Sequence, residues 1–239
     1  MVSNGSVPSL TGGLNAPTAG YATYSPKMYW DGELYIGGQF WNGRAAGHKE
    51  FMVFDSQTIA EYSPLAEQAQ GPFLNPVEMG LPSKAEVVYR VSIADYAYLF
   101  ARAFGAADFN DIELTYDQIG YAIAAFESTE EFTKFNSDFD NNVMTEQAKK
   151  GELLFNGKAQ CSACHITEPG DSGHAEFTDY SYDNLGVPLN PIIADKGVDP
   201  GLGGFILTIQ NDPDALPSLK AMVATAIQDG GGSPEKNYG

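Results

Sequence analysis

The feature that most constrains this 239-residue chain is a Cys-x-x-Cys-His run formed by Cys161, Cys164 and His165. The chain has only these two cysteines, so the disulfide framework of small secreted scaffolds is excluded. Two thiols at this spacing, followed at once by an imidazole, are the attachment signature of a c-type haem. The thiols add across the two vinyl groups of the porphyrin, and His165 can then bind the iron as its proximal ligand. The sequence therefore predicts a covalently attached haem c.

Two other uses of the cysteines remain as alternatives. A thioredoxin-like dithiol requires a βαβ context, and no strand is predicted before Cys161. A structural zinc site requires four ligands, and only His48 and His174 remain to complete one. Haem attachment is the favoured interpretation.

The distal iron ligand has two candidates after the motif. His174 lies in a polar loop with Gly, Asp and Ser neighbours, so it is expected to be a solvated surface residue. Met222 follows the proximal histidine at a separation that suits a Met-ligated cytochrome. It also lies in an amphipathic helix, where packing in the core is the commoner role of methionine.

Hydrophobic periodicity predicts an all-α, loop-rich protein. Hydrophobic residues make up 43% of the chain, which is ample for a packed core. Apolar residues at helical spacing predict four helices, with no alternating strand pattern between them; they run from the Ser83 cap to Phe104, from about Tyr116 to near Phe135, from near Thr145 towards Cys161, and from Leu216 to Ile227. Residues 1–80 and 166–212 are rich in Gly, Pro and polar residues, which is typical of loops.

The third helix resembles the N-terminal helix of class I cytochrome c domains. In those domains a glycine allows two helices to cross closely and an aromatic residue packs near the haem, and these positions correspond to Gly151 and Phe155. The predicted organisation is a loop-rich and helical region over 1–140, followed by a cytochrome c-like haem domain over 141–239. A tolerated helical glycine is the alternative for Gly151.

Charge and hydropathy narrow the partners and the location. The formal net charge of −18 argues against nucleic acid, because a phosphate backbone would be repelled. No apolar run is long enough to cross a membrane as a helix. The first ten residues lack the basic and apolar regions of a signal peptide, so a processed precursor or a piece of a longer chain is expected.

Five short stretches resemble bacterial di-haem cytochrome c peroxidases, whose superfamily includes the methylamine-utilisation haem enzymes. The sequence reads Leu-Asn-Ala-Pro-Thr at 14–18, Phe-Trp-Asn-Gly-Arg at 40–44 and Glu-Gln-Ala-Gln-Gly-Pro at 67–72. It continues with Asn-Pro-Val-Glu-Met at 75–79 and Tyr-Asp-Asn-Leu-Gly-Val-Pro at 182–188. Together with the haem motif these stretches are specific, although each alone would be weak.

The resemblance implies a periplasmic oxidoreductase in which one c-type haem relays electrons and the other reduces hydrogen peroxide. Gln68 and Glu78 correspond to family residues on the distal side of the peroxide-reducing haem, and Trp41 corresponds to a residue between the haems. Asn15 corresponds to a ligand of an interdomain calcium ion. Packing roles for Gln68 and Trp41, a helix cap for Glu78 and an Asx turn for Asn15 are the alternatives.

The sequence also departs from the family pattern. The first Cys-x-x-Cys-His of the family would precede residue 15, and the segment that supplies the distal ligand of the relay haem would follow residue 239. We therefore expect an internal portion of a di-haem protein, with a second haem c carried outside this sequence.

Three functions follow as hypotheses. The leading one is a peroxidase-like oxidoreductase whose partners are a small basic redox protein, hydrogen peroxide or another small substrate, with a homodimer as a compatible assembly. The second is a non-catalytic mono-haem electron-transfer cytochrome. The third is a structural or conduit haem subunit of a larger assembly.

Overall fold

The computed structural model describes residues 2–52, 59–60, 63–105 and 109–230. Within these residues the chain is mostly helical, as predicted. The helices are α1 (Pro64–Leu74), α2 (Lys84–Ser92), α3 (Ala97–Phe104), α4 (Ile112–Glu127), α5 (Glu146–Asn156), α6 (Gly201–Asn211) and α7 (Pro217–Gln228). Shorter 3₁₀ segments occur at Ala22–Tyr24, Cys161–Ala163 and Pro191–Lys196.

The prediction that the chain has no strands is wrong. Three antiparallel pairs are present, formed by β1 (Val2–Asn4) with β2 (Thr11–Asn15), β3 (Tyr29–Trp30) with β4 (Tyr35–Ile36), and β5 (Phe51–Met52) with β6 (Ile59–Ala60). These strands have two to five residues. A period-2 pattern cannot be recognised over so few positions, which explains why the sequence did not reveal them.

Two predicted helix starts are confirmed by their caps. The Ser83 hydroxyl accepts a hydrogen bond from the Glu86 amide at 3.3 Å, and the Thr145 hydroxyl accepts one from the Ala148 amide at 3.2 Å. Such side-chain acceptors satisfy amides that have no partner in the first turn of a helix. The final helix is also confirmed to within a residue at each end.

Other helix boundaries differ from the prediction. The expected helix from Ser83 to Phe104 is two helices, because the chain turns between Ser92 and Ala97, where the Ala94 amide bonds to the Val91 carbonyl. The second predicted helix begins earlier, since the Asp111 carboxylate caps α4 by accepting from the Leu114 amide at 3.1 Å. It ends at Glu127 rather than near Phe135. Helices α1 and α6 lie in stretches predicted to be loops.

The first hydrophobic core lies between α1, α2, α3 and α4. Its centre is formed by the buried side chains of Phe51, Leu65, Ala66, Val87, Val88, Phe100, Phe104, Tyr116, Ile119 and Ala124. Helices α1 and α4 cross closely at Gly120, where an added Cβ would lie 2.9 Å from the Ala66 carbonyl oxygen. The close crossing predicted at Gly151 is not observed, since a Cβ there would meet nothing within 4 Å in the described part of the chain.

The second core joins distant parts of the sequence. Helix α7 packs against β3 and against α6, and the buried members of this core are Met28, Tyr35, Ala46, Leu202, Ile206, Ile209, Leu219, Val223 and Ala226. A hairpin near the start of the chain therefore shares its core with the last two helices. The division of the chain at residue 140 stays a prediction. Across the described ranges, no helix has the length and apolar character needed to cross a membrane.

Candidate active site and haem-attachment segment

One cleft of about 390 Å³ brings together four residues predicted from separate stretches of the sequence. Asn15, Trp41, Gln68 and Glu78 all line it. They come from the end of β2, a loop after β4, helix α1 and the turn after α1. The fold thus gathers a predicted distal pair, a predicted relay residue and a predicted calcium ligand around a single cavity.

Trp41 is presented at the tip of a tight loop. The loop closes where the Gln39 amide donates to the Ala45 carbonyl at 2.9 Å, and the Gly43 amide donates to the Phe40 carbonyl at 3.1 Å. The Trp41 side chain is 58% exposed, and its Nε1 donates to the backbone carbonyl of Asn15 at 2.7 Å. This bond holds the indole at the edge of the cleft.

Gln68 projects from α1, whose start is fixed by a cap. The Ser63 hydroxyl accepts from the Ala66 amide at 3.3 Å, and Pro64 occupies the first turn, where its missing N–H has no consequence. Helix α1 buries Leu65 and Ala66 in the first core, and the half-buried Gln68 lines the cleft.

Glu78 is placed by the turn that ends α1. The Asn75 side chain accepts from the Val77 amide at 3.1 Å, while the Asn75 carbonyl accepts from the Glu78 amide at 3.0 Å. The Glu78 carbonyl in turn accepts from the Ser6 amide at 2.6 Å, which ties the turn to the first hairpin. The N-cap of the following helix α2 is Ser83 rather than Glu78, and Glu78 lines the cleft.

Three charged residues of the cleft were missed by sequence reasoning. The Arg44 guanidinium lies 3.5 Å from the centre of the Phe40 ring, and desolvation lowers the pKa of Arg44 while Glu78 and Asp199 oppose that shift. Burial raises the pKa of Glu127, another carboxyl group that lines the cleft. Arg44 closes the Phe-Trp-Asn-Gly-Arg stretch and could have been found there, but Glu127 and Asp199 reach the cleft only through tertiary folding.

The Cys-x-x-Cys-His segment follows α5 directly. Cys161 opens a 3₁₀ turn, and the His165 amide donates to the Cys161 carbonyl at 3.0 Å. The His165 ring bonds through Nδ1 to the Phe177 carbonyl at 2.9 Å. A backbone carbonyl at Nδ1 is a usual partner for a ligating histidine, and it leaves Nε2 for a metal.

The surroundings of this segment fit a haem. Both thiols are free, and His165 is exposed with no hydrogen bond at Nε2 among the described residues. Leu153 and Leu154 on the adjoining helix α5 are exposed, and the Phe155 ring lies 6.2 Å from the His165 ring. Two thiols, one ligating nitrogen and uncovered apolar side chains are what a tethered porphyrin requires.

The rival uses of the cysteines are less well supported. Asp183, with help from slight burial and Asp179, raises the pKa of Cys164, whereas a reactive dithiol depends on a lowered pKa. The proposed zinc set is not assembled, because His48 bonds through Nε2 to the Met28 carbonyl at 2.8 Å and His174 stacks on Phe135.

The candidate distal ligands lie in different places. The rings of His174 and Phe135 are stacked with centres 4.3 Å apart, and His174 is exposed as expected. Met222 lies on α7, partly buried against the second core and beside Trp30 and Thr225 in a shallow cleft. Its environment is that of a core methionine, and its role as a ligand stays a prediction.

Comparison with known proteins identifies the family. The sequence model described as di-haem cytochrome c peroxidase matches residues 2–148. Methylamine utilization protein MauG of Paracoccus denitrificans is 35% identical over 232 residues, which cover 90% of this chain and 55% of MauG. Cytochrome c551 peroxidase of Nitrosomonas europaea is 34% identical over 133 residues, which cover 53% of this chain and 32% of that protein.

Comparison of the fold with solved structures supports the same family. The crystal structure of the diheme peroxidase BthA from Burkholderia thailandensis superposes with a TM-score of 0.72 at 26% identity, over 92% of this chain and 52% of BthA. The chain thus spans about half the length of MauG and of BthA. The resemblance seen in the five short stretches is confirmed, and the chain belongs to the di-haem cytochrome c peroxidase family.

Proposed function

We propose that this chain is the relay-haem portion, with part of the peroxide pocket, of a periplasmic oxidoreductase that reduces hydrogen peroxide. Cys161 and Cys164 hold a haem c, His165 is its proximal ligand, and a second haem c is carried outside these 239 residues. One observation carries the proposal: Trp41, Gln68 and Glu78, drawn from three separate stretches, line the same cleft. A small redox protein with a basic surface is the proposed electron donor, since the chain has a net charge of −18.

Glu78 and Gln68 have different roles toward hydrogen peroxide. Reduction of one hydrogen peroxide consumes two electrons and two protons and yields two waters. Cleavage of the O–O bond is assisted when a carboxylate takes a proton from one peroxide oxygen and returns it to the other. Glu78 performs this transfer, and the Gln68 amide holds the peroxide by hydrogen bonding. When bound, the haems would supply the electrons and a Lewis-acidic iron for this reduction.

Trp41 lies on the route of the electrons. Its Nε1 bond to the Asn15 carbonyl fixes the indole at the cleft. Asn15 is the proposed calcium ligand, since calcium prefers oxygen ligands and asparagine supplies a side-chain amide oxygen. Met222 is retained as a candidate distal ligand of the His165 haem.

The pocket assignment is tested by Glu78→Gln in the full-length holoprotein. We expect peroxide-dependent oxidation of a reduced cytochrome to fall by about 100-fold or more, because the proton-transfer group is lost while the shape is kept. Glu130→Gln, which changes an exposed carboxylate outside the cleft, is the control and should retain turnover. Equal activity in both variants would remove Glu78 from the mechanism.

A mono-haem electron-transfer cytochrome is the second candidate, favoured by the single Cys-x-x-Cys-His motif of this chain. A pyridine haemochrome assay combined with intact mass gives the number of haems per chain. Two haems in the full-length protein, with peroxide turnover, support the enzyme. One haem, reversible redox cycling and no turnover would support the carrier.

A further inference from the structure

We infer that Tyr182 is a positioning residue that seats the Trp41 loop against the segment bonded to the proximal histidine. This inference rests on the proposed function of Trp41 as an electron relay. Tyr182 is not among the residues that line the cleft, and its proposed role is to join the Trp41 loop to the segment bonded to His165.

The Tyr182 hydroxyl is held by a backbone group at the base of the loop. It donates to the Gly37 carbonyl at 2.7 Å, and the side chain packs against the second core. Burial raises the pKa of Tyr182, so the hydroxyl stays protonated and remains a donor.

The Tyr182 hydroxyl lies against Gly38 and Gly43, where a larger residue would contact it. A Cβ added to Gly43 would lie 2.7 Å from the Tyr182 oxygen, and one added to Gly38 would lie 3.3 Å from it. Gly38 and Gly43 flank Trp41 on its two sides, and both have positive φ angles that favour glycine. Tyr182 therefore contacts both arms of the loop that presents the indole.

A short segment connects the same tyrosine to His165. The Phe177 carbonyl accepts from the His165 ring at 2.9 Å, and the Tyr180 carbonyl accepts from the Gly37 amide at 2.9 Å. The chain between Phe177 and Tyr182 thus bonds to the proximal histidine at one end and to the base of the Trp41 loop at the other. A displacement of this segment would move the two together.

The Tyr182 hydroxyl fixes the position of the ring against the Trp41 loop, whereas the ring itself makes the packing contact. With Tyr182→Phe the ring can still pack in the core, but the Gly37 carbonyl loses its donor and nothing fixes the ring tip between the two glycines. We expect the Trp41 loop to adopt several positions, so that the distance from Trp41 to the His165 segment has a broad distribution.

The test uses Trp41 as its own reporter. The chain has two tryptophans, so Trp30→Phe leaves Trp41 as the only one. In the haem-loaded 239-residue chain with this background, the fluorescence lifetime of Trp41 reports its distance from the haem. We expect Tyr182→Phe to broaden the lifetime distribution while haem content stays unchanged.

The matched control is Tyr180→Phe. Tyr180 lies two residues before Tyr182, and this substitution removes a hydroxyl that donates to the Glu176 carboxylate at 2.7 Å while leaving the bond from Tyr182 to Gly37 in place. A single lifetime in this variant and a broad distribution in Tyr182→Phe would support the inference. The same lifetime in the parent and both variants would overturn it.

A kinetic measurement separates this inference from the proposed function. In the full-length holoenzyme we expect Tyr182→Phe to slow electron transfer between the haems by about tenfold or more, with the KM for peroxide unchanged. Absence of relay in the parent protein would refute the proposed function. In that case, acrylamide quenching of Trp41 in the single-tryptophan chain still tests whether Tyr182 fixes the Trp41 loop. Greater quenching in Tyr182→Phe than in the parent supports the inference, and equal quenching refutes it.

Discussion

His48 shows how much a single side chain can be constrained by its surroundings. The residue is 9% exposed, its Nε2 bonds to the Met28 carbonyl, and its Nδ1 is buried with no hydrogen-bond partner. Burial lowers the pKa of His48, although the Met28 carbonyl opposes the shift. A buried imidazole with one unpaired nitrogen is tolerated when neutral and is costly when charged.

The pH dependence of stability follows from this pKa. In the unfolded chain His48 binds a proton near its ordinary pKa of about 6.5, whereas the folded chain binds it only at lower pH. Below that ordinary value the unfolded state therefore holds more protons, and the free energy of unfolding falls by up to about 1.4 kcal/mol per pH unit until the lower folded pKa is reached. At pH 7 His48 is mostly neutral in both the folded and the unfolded chain, so its titration takes little from the free energy of unfolding there.

We expect His48→Gln to reduce the loss of stability between pH 7 and pH 5. The glutamine amide can donate to the Met28 carbonyl as Nε2 does, but it does not titrate. Urea unfolding at the two pH values measures the difference, and His174→Gln, which removes an exposed imidazole, should keep the wild-type loss. An equal loss in His48→Gln and the wild type would contradict this assignment.

At the scale of whole elements, the glycines of α4 and α5 have opposite environments. On α4 a Cβ at Gly120 would lie 2.8 Å from the Gln70 side chain and 2.9 Å from the Ala66 carbonyl, both on α1. On α5 a Cβ at Gly151 would meet nothing within 4 Å. Replacing glycine by alanine should therefore change the free energy of unfolding in opposite directions at Gly120 and Gly151.

Gly120→Ala should destabilise the protein by about 1–3 kcal/mol, because α1 cannot approach α4 without strain. Gly151→Ala should stabilise it by up to about 1 kcal/mol, because alanine favours a helix when nothing obstructs it. Urea denaturation of the two variants measures both values. Since α1 carries Gln68, Gly120→Ala should also lower peroxide turnover, and a stabilised Gly120→Ala variant would refute the close crossing of α1 and α4 at Gly120.

The elements differ in how far they could be predicted from the sequence. Helix α5 was predicted because Thr145 caps it and no glycine or proline interrupts its first turn. Helix α1 was missed because Gly71 and Pro72 lie in its last turns, yet its buried face holds it against the first core. Helix α6 begins with three glycines in four residues, and only packing of Leu202, Ile206 and Ile209 compensates for their low propensity.

The candidate site shows the same division between local and tertiary information. Trp41, Gln68 and Glu78 were identified because short local stretches resemble a family. Their convergence on one cleft could not be derived from the sequence, because it depends on how α1 packs and on the bond from Trp41 to the Asn15 carbonyl. Asp199 reaches the same cleft from a loop that showed no motif.

At the scale of the whole molecule, the second core connects the haem-motif half of the chain to the loop that presents Trp41. Ile206 is 1% exposed and packs in the cluster that contains Met28 and Tyr35. Met28 also touches the Trp41 loop, since a Cβ added to Gly43 would lie 2.2 Å from its terminal methyl group. Helix α6 therefore shares a core cluster with Met28, the residue that contacts the Trp41 loop.

Ile206→Ala tests this coupling across the molecule. Removal of a fully buried side chain of this size should lower the free energy of unfolding by about 2–5 kcal/mol, from lost burial and the cavity left behind. Gln210→Ala, on the exposed side of the same helix, should change it by no more than about 0.5 kcal/mol. Because Ile206 and Met28 belong to the same core cluster, we expect Ile206→Ala also to increase acrylamide quenching of Trp41 in the Trp30→Phe background under conditions where the protein remains folded. If stability falls while Trp41 quenching stays that of the parent, the second core does not support the Trp41 loop.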